Sequence, residues 1–203
     1  MTQFASNDEF AARLGITLTT DEGARATTLL ELASALIQSE TEQTIELVTD
    51  DTLTMPSVYD ERIRLPQRPV SSITSVSIDG TDIPQSGAWY LDGDELVRAN
   101  WRLLLQQHFA AYNGVGWLGP LRTIEIVYTH GYTTIPATVK IVCMEMAVRA
   151  WVNPGAVARE SVGNVMTVYD NMRFSPSGML MTDLERKAVN DVVRRTEGSV
   201  SLR

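Results

Sequence analysis

Few residues of this sequence have the types and spacing that catalytic chemistry requires. The two histidines, His108 and His130, lie far apart, and neither has the helical i+4 partner that a zinc peptidase site needs. We expect His130, next to Gly131 at a strand end, to be a turn or packing residue. The single cysteine, Cys143, lies among apolar residues, so we expect a core residue and neither a disulfide framework nor a cysteine-based zinc cluster.

A glycine-rich segment, residues 114–119, matches the G-x-G-x-x-G pattern of dinucleotide-binding sites. In such a site the glycines follow a strand and open a helix, whereas here Pro120 and a predicted strand come next. Residues 159–163 miss the nucleophile elbow of serine hydrolases, because Arg159 occupies the place of its first glycine. We therefore interpret the glycine segment as a loop and Ser161 as a structural residue.

Asp92, Asp94 and Glu95 resemble a fragment of a calcium-binding loop. The later bidentate glutamate and the full alternation of ligands are absent, so we interpret this stretch as a solvated turn. The sequence contains no stronger motif for a nucleophile, a cofactor or a metal ion. We therefore predict a protein that is not an enzyme and has no catalytic, cofactor-binding or metal-binding residues.

Composition and charge indicate a packed, acidic protein. Of the 203 residues, 44% are hydrophobic and 21% are charged, which is ordinary usage for a globular chain. The formal net charge of −8 argues against a protein that grips nucleic acid, because such binding depends on Lys and Arg side chains that neutralise phosphates. No apolar run reaches the roughly 20 residues that cross a bilayer, and the N-terminus lacks a basic signal-peptide start, so we expect neither membrane insertion nor secretion.

The order of elements predicts an α+β fold, with a helical core and an inserted antiparallel β unit. Capping signals at Ser6 and Thr19 begin an N-terminal helix pair, Gly15 ends its first helix, and the second is expected to end near Ser39. A central helix and a C-terminal helix complete the core. We divide the chain into N-terminal helices, a β-rich insertion, and central and C-terminal helices with a tail, at residues 1–43, 44–135 and 136–203.

Within the predicted β insertion, turns and alternation mark the strands. Asp79-Gly80 and Asp92-Gly93 favour hairpin turns, because both residue types tolerate positive φ. The clearest half-buried strand is marked by alternating apolar residues, which are Ile124, Ile126 and Tyr128.

The two later helices are also marked in the sequence. The helix after Pro136 is apolar over more than the usual arc, so it should pack on two sides. The capping sequence Thr182-Asp183-Leu184-Glu185 predicts the last helix, with Arg194 and Arg195 placed favourably against its C-terminal dipole.

The order of several short strings resembles the head-to-tail adaptor family of tailed phages, which includes the gp6-like and gp15-like head-tail connectors. The resemblance covers nearly the whole chain, except residues 101–119, which are rich in Trp, Leu and Phe. The strings are Arg64-Leu65-Pro66, Arg68-Pro69-Val70, Ile126-Val127-Tyr128-Thr129-His130-Gly131-Tyr132 with Pro136, Asn153-Pro154, Glu160-Ser161-Val162-Gly163 and Thr182-Asp183-Leu184-Glu185.

The resemblance implies a structural ring, typically of twelve copies, that joins the capsid portal to the tail and lines the DNA channel. The implied partners are the portal protein, a tail-side stopper or tail-completion protein and further copies of this chain, with no cofactor and no membrane. Genomic DNA would pass through without sequence-specific binding, and an acidic channel would repel its phosphates. The implied location is the head-tail interface of the virion, after assembly in the bacterial host cytoplasm.

The resemblance also suggests site residues. In related adaptors a C-terminal segment docks on the portal, so portal binding is expected at Arg194, Arg195, Leu202 and Arg203. A cyclic ring needs two different contact faces on each subunit, and the apolar central helix can supply one. We predict subunit contacts at its residues Ile141, Met144, Val148 and Trp151.

Two other functions stay open at this point. A tail-side stopper or tail-completion protein would share the acidity and the ring assembly, and copurification with the portal would separate it from an adaptor. A small hydrolase would need a titratable acid/base pair in a cleft.

Overall fold

The computed structural model describes residues 3–58, 60–98, 122–154, 159–162, 165–168 and 179–193. It confirms the predicted α+β class, with α-helices and antiparallel sheets. The chain divides into two compact units, of which one combines Met1–Glu42 with Ile135–Val192 and the other contains Gln43–Thr134. We call them the helical unit and the β unit. No helix within the described ranges is long and apolar enough to cross a membrane.

The described ranges contain five helices, of which the short α3 belongs to the β unit and the others to the helical unit. Their bounds are α1 (Asn7–Leu14), α2 (Thr20–Thr41), α3 (Gln85–Ala88), α4 (Ala137–Val152) and α5 (Asp183–Val193).

Helices α1 and α2 begin with the capping boxes that the sequence predicts. The Ser6 hydroxyl accepts a hydrogen bond from the Glu9 amide at 3.2 Å, and the Glu9 carboxylate accepts one from the Ser6 amide at 2.8 Å. Thr19 and Glu22 repeat this arrangement at α2. Gly15 ends α1 in the left-handed conformation, with a φ of 69°, as predicted.

Helix α2 continues past the predicted end near Ser39. Its last residue, Thr41, is buried and donates its hydroxyl to the Ile37 carbonyl at 2.8 Å, so the final turn satisfies its own polar groups. Glu42 then adopts a left-handed conformation, with a φ of 56°, and stops the helix.

The core of the helical unit lies between α2 and α4, which run in opposite directions. Arg25, early in α2, bonds to the carbonyl of Trp151, late in α4, whereas the Ser34 hydroxyl lies 3.5 Å from the Cys143 sulfur at mid-helix. Ser34 also accepts the Phe4 amide at 3.0 Å, which ties the N-terminal segment to α2. The core positions of the two helices follow a 3.6-residue period and are Ala26, Leu30, Ala33, Ile37, Val139, Val142, Cys143, Met146, Ala147 and Ala150.

The described part of the chain contains nine β-strands in three antiparallel sheets. Four strands form a sheet in the order β1-β7-β3-β4, three form a second in the order β2-β6-β5, and β8 pairs with β9. The strands are β1 (Val48–Pro56), β2 (Arg62–Arg64), β3 (Val70–Ile78), β4 (Thr81–Asp82), β5 (Trp89–Asp92), β6 (Glu95–Arg98), β7 (Thr123–His130), β8 (Arg159–Val162) and β9 (Val165–Val168).

Strand β7 lies inside the four-stranded sheet, between β1 and β3. Its side chains alternate as predicted, with Ile124, Ile126 and Tyr128 buried. They form one apolar cluster with residues of both larger sheets, and the Trp89 indole N–H, buried in the same cluster, donates to the Ile83 carbonyl at 2.9 Å. The β unit therefore has its own core.

One of the two predicted hairpin turns is confirmed and the other is shifted by one residue. Asp79 and Gly80 connect β3 to β4 with φ angles of 50° and 76°, the paired positive values of a type I′ turn. In the second hairpin Asp92 pairs with Glu95, so the connecting residues are Gly93 and Asp94 rather than Asp92 and Gly93.

Candidate functional site

One side of α4 is a candidate assembly surface, because it leaves apolar side chains uncovered. Ile141 and Val152 keep 54% and 59% of their surface exposed, and Val148 is half-buried. At 3.6 residues per turn these three residues project from the side of α4 opposite the residues packed on α2, and Glu145, which pairs with Arg13 of α1, lies among them on that side. We call Ile141, Val148 and Val152 the α4 stripe.

Two of the four residues predicted for subunit contacts lie on a different side of α4. The Trp151 ring makes an edge contact with the Phe10 ring of α1, with centroids 5.6 Å apart, and the Arg25 guanidinium lies 4.4 Å from the Trp151 ring centroid. Met144 precedes Trp151 by seven residues, so the half-buried Met144 shares that side. Val152, which was not among the residues predicted for subunit contacts, follows Val148 by four residues and shares its side of α4.

The N-terminal end of α5 is held to α4 by Arg149. Its guanidinium donates to both carboxylate oxygens of Glu185, at 2.7 and 3.0 Å, and to the Leu180 carbonyl at 3.1 Å. Glu185 also completes the capping box predicted at Thr182, since it accepts the Thr182 amide at 2.8 Å. One carboxylate therefore both caps α5 and joins it to α4.

The Arg149–Glu185 pair is mostly shielded from solvent. Burial disfavours the charged form of Glu185, but the hydrogen bonds from Arg149 and from the Thr182 amide outweigh this effect and lower the pKa of Glu185. The pair is therefore ionised at neutral pH. On α5, which this pair holds in place, Leu184 keeps 81% of its surface exposed and is a further uncovered apolar residue of the helical unit.

The residues predicted to bind the portal, Arg194, Arg195, Leu202 and Arg203, lie outside the described residues. Their role stays a prediction. In helix α5, which precedes them, Val189 and Val193 are buried.

His130 and Cys143 are both buried, in agreement with the packing roles expected from the sequence. The His130 Nε2 atom lies 3.1 Å from the Asp51 carboxylate, and its ring lies beside that of Tyr128. Burial raises the pKa of the Cys143 thiol, and the sulfur lies in the core between α2 and α4.

The acidic stretch of the β5–β6 hairpin is only partly a solvated turn. Arg62 pairs with the exposed Asp92 at 2.8 Å and with Glu95 at 3.0 Å. Asp94, in contrast, is buried, and its carboxylate accepts the Val70 amide at 3.0 Å, so the interpretation of Asp94 as solvated is wrong. The carboxylate satisfies a strand amide that would otherwise lack a partner.

Other motifs contribute no site to the described ranges. Ser161 lies in β8, while His108 and the glycine-rich segment at 114–119 fall outside the described residues. Within the described ranges no group of three or more His, Cys, Asp or Glu residues could hold a metal ion.

No protein-family profile and no curated protein sequence matches this chain. Its fold is similar to that of a chain titled "Virion of native gene transfer agent (GTA) particle", with a TM-score of 0.50 and 16% identity over 77% of this chain and 81% of that chain. A neck chain of an empty GTA particle computed with C6 symmetry gives a TM-score of 0.47 and 18% identity over 78% of this chain and 81% of that chain. A neck chain of a native GTA particle computed with C12 symmetry gives a TM-score of 0.46 and 14% identity over 78% of this chain and 80% of that chain. At this level of identity, the first of these matches shows a shared fold.

Proposed function

We propose that this chain is a head-to-tail adaptor, a structural ring subunit that joins the portal of a phage-like capsid to its tail. The observation that carries the proposal is the fold shared over 77% of the chain with a chain of the GTA virion. The ordered strings of the sequence resemblance support the same role independently of the fold.

The exposed apolar residues support a role that depends on partners. Ile141, Val152 and Leu184 each keep more than half of their surface exposed, and large exposed apolar residues are a common mark of protein contact surfaces. In the proposed ring such residues would contact neighbouring copies, the portal above and a tail-side stopper or tail-completion protein below. The tail with Arg194, Arg195, Leu202 and Arg203 is the proposed portal-binding segment.

The charge of the chain supports a passage for DNA. In the proposed ring an acidic channel would repel phosphates and let DNA slide without sequence-specific binding, and the net charge of −8 agrees with such a channel. In this proposal the ring lines the channel between capsid and tail, and the protein is a virion component rather than an enzyme.

The test is imaging of the purified protein with and without the portal protein encoded in the same genome. We expect side views of portal rings to gain one extra layer at the tail-facing end, and top views of that layer to show rotational symmetry. Portal alone is the control. A compact two-fold dimer that ignores the portal would contradict the proposal, and binding only to the tail tube would indicate a tail-completion protein.

A further inference from the structure

We infer that β1 is closed to the addition of a further strand, and that Asp51 and Pro56 are the residues that close it. Among the described strands β1 pairs only with β7, so it forms an edge of the four-stranded sheet. An edge strand presents unpaired N–H and C=O groups, which another chain can use to extend the sheet. This inference goes beyond the proposed function, since it concerns the β unit of any copy, inside or outside a ring.

The register of β1 shows which of its backbone groups point away from the sheet. The Ser57 amide donates to the Arg122 carbonyl at 2.8 Å, in line with the register of the β1–β7 pair. In an antiparallel ladder every second residue bonds to the partner strand, so the odd-numbered residues from position 51 onward bond to β7. The N–H and C=O groups that point outward then belong to the residues between them, which are Thr52, Thr54 and Pro56.

Two of these three outward positions offer no amide to an added strand. Pro56 has no N–H, and the Thr52 amide already donates to the Asp51 carboxylate Oδ1 at 2.9 Å. An added strand would therefore find a usable amide at Thr54 alone, although a regular edge of this length offers one at each position. Beside Thr52 it would also bring its own carbonyl against a carboxylate, which is repulsive.

The Asp51 carboxylate is held in place by a buried histidine. Its Oδ2 atom lies 3.1 Å from His130 Nε2, and the His130 side chain is 1% exposed, whereas the Asp51 side chain is 43% exposed. The carboxylate thus points toward the core side of β1 but keeps contact with water. An added strand would remove that water, and burial of a charge without new partners is costly. Inward-pointing charged residues are one of the ways in which edge strands avoid pairing.

The stretch between Asp51 and Pro56 would otherwise favour pairing. Residues 52–55 carry no charge and include two threonines, a residue type that is enriched in strands. Uncharged segments of this kind at a sheet edge are aggregation sites. Asp51 directly precedes the stretch and Pro56 directly follows it, which is the placement expected of residues that prevent association.

The remaining edges of the same sheet are interrupted as well. Before Asp51 the register of β1 shifts, and Asp50 has a positive φ of 53°, so the regular edge does not continue. At the opposite edge β4 has only two residues, and β3 beside it shifts register twice against β7. Short edge strands and bulges both hinder pairing. We therefore expect copies of this chain to associate through surfaces other than the edges of this sheet.

The first measurement is amide hydrogen exchange in the full chain, followed by NMR. After correction for sequence effects, the Thr52 amide is expected to exchange about tenfold more slowly than the Thr54 amide, because only the Thr52 amide has an acceptor. Asp51→Ala should bring the two rates together. Equal rates in the unmodified chain would overturn the role of Asp51.

The second measurement is self-association of the full chain without portal, by sedimentation velocity. The double variant Asp51→Thr with Pro56→Thr gives all three outward positions a usable amide, so it is expected to associate at concentrations about tenfold lower than the unmodified chain. Pro56→Thr alone removes no hydrogen bond of the proline nitrogen and should shift association in the same direction, by less. Pro84→Thr, at an exposed proline before α3, is the matched control and should not associate more.

Melting temperatures separate an opened edge from unfolding, and Pro56→Thr decides the matter if the double variant loses stability. In the associated variants the Thr54 amide is expected to become protected from exchange. Association no greater than that of the unmodified chain, or association that leaves the Thr54 amide unprotected, would overturn the inference. Because no portal is used, neither result depends on whether the chain forms the proposed ring.

Discussion

The Arg149 guanidinium spans both carboxylate oxygens of Glu185, at 2.7 and 3.0 Å, and thereby fixes the first turn of α5 against α4. The same carboxylate accepts the Thr182 amide, so one side chain serves as a cap and as an interhelical ion pair. Both side chains are mostly buried, so the loss of either one leaves the other without its partner in a poorly solvated place.

Replacing Glu185 with Gln is expected to lower the free energy of unfolding by about 1–3 kcal/mol, because Arg149 loses a charged acceptor. The measurement is denaturant unfolding of the purified protein. Glu22→Gln is the matched control, since Glu22 holds the same capping position in α2 without an interhelical ion pair. The control should lose less stability, and equal losses in the two variants would show that the ion pair contributes nothing.

The same pair gives stability that depends on pH in the acid range. The pKa of Glu185 is lower in the folded protein than its ordinary value of 4.5, so its contribution is fully present above that value and is lost as the pH falls through the folded pKa. The melting temperatures of the wild type and of Glu185→Gln should therefore differ by a constant amount near neutral pH and converge below about pH 4.5. A difference that persists unchanged in acid would contradict this assignment.

Trp151→Ala is expected to destabilise the helical unit by about 2–4 kcal/mol, through loss of the Phe10 contact and of the Arg25 guanidinium above the ring. Thermal unfolding measures the effect. Trp151→Phe is the control, since it keeps an aromatic ring for both contacts and should retain part of the stability. An unchanged melting temperature for Trp151→Ala would mean that the edge contact does not hold α1 on α4.

The features that were predicted correctly from sequence depend on neighbours in the chain. A capping box joins residues three apart, as at Ser6 and Glu9, and the alternation in β7 reflects only which side of a strand faces the core. The features that were missed depend on distant residues. Asp94 is buried because its carboxylate accepts the amide of Val70, 24 residues away, and a local charge pattern cannot predict that partner.

The same distinction applies to α4. Its apolar character over a wide arc was readable from the sequence, and this predicted a helix packed on more than one side. Which side would be uncovered was not readable, because α1 occupies the arc around Trp151 and leaves the arc around Ile141 open. The placement of α1 depends on long-range contacts such as Arg13–Glu145 and Lys140–Glu9, so the sequence alone could not separate the two faces.

Gly131→Ala is expected to destabilise the β unit by at least about 2 kcal/mol, because Gly131 has a φ of 88° and an added Cβ would collide with the Glu46 carbonyl. Gly23→Ala is the matched control. Gly23 lies within α2 with no atom near its missing Cβ, so the alanine should stabilise the helix by up to about 1 kcal/mol. The change in the free energy of unfolding is expected to have opposite signs in the two variants. If both positions tolerate alanine equally, Gly131 does not approach the Glu46 carbonyl closely.

Deleting residues 196–203 is expected to leave the fold intact and to reduce binding to the portal. Helix α5 is described up to Val193, and its buried Val189 precedes the deletion, so the core of the helical unit keeps this contact. The deletion removes Leu202 and Arg203, two of the residues proposed to bind the portal, and a short segment that orders on a partner can contribute affinity without contributing to the fold. Thermal unfolding and portal pull-down are measured on the same truncated protein, with the double variant Leu202→Ala and Arg203→Ala as the narrower test. An unchanged melting temperature with lost binding supports docking through the tail, whereas full binding by the truncated protein would place the portal contact elsewhere on the chain.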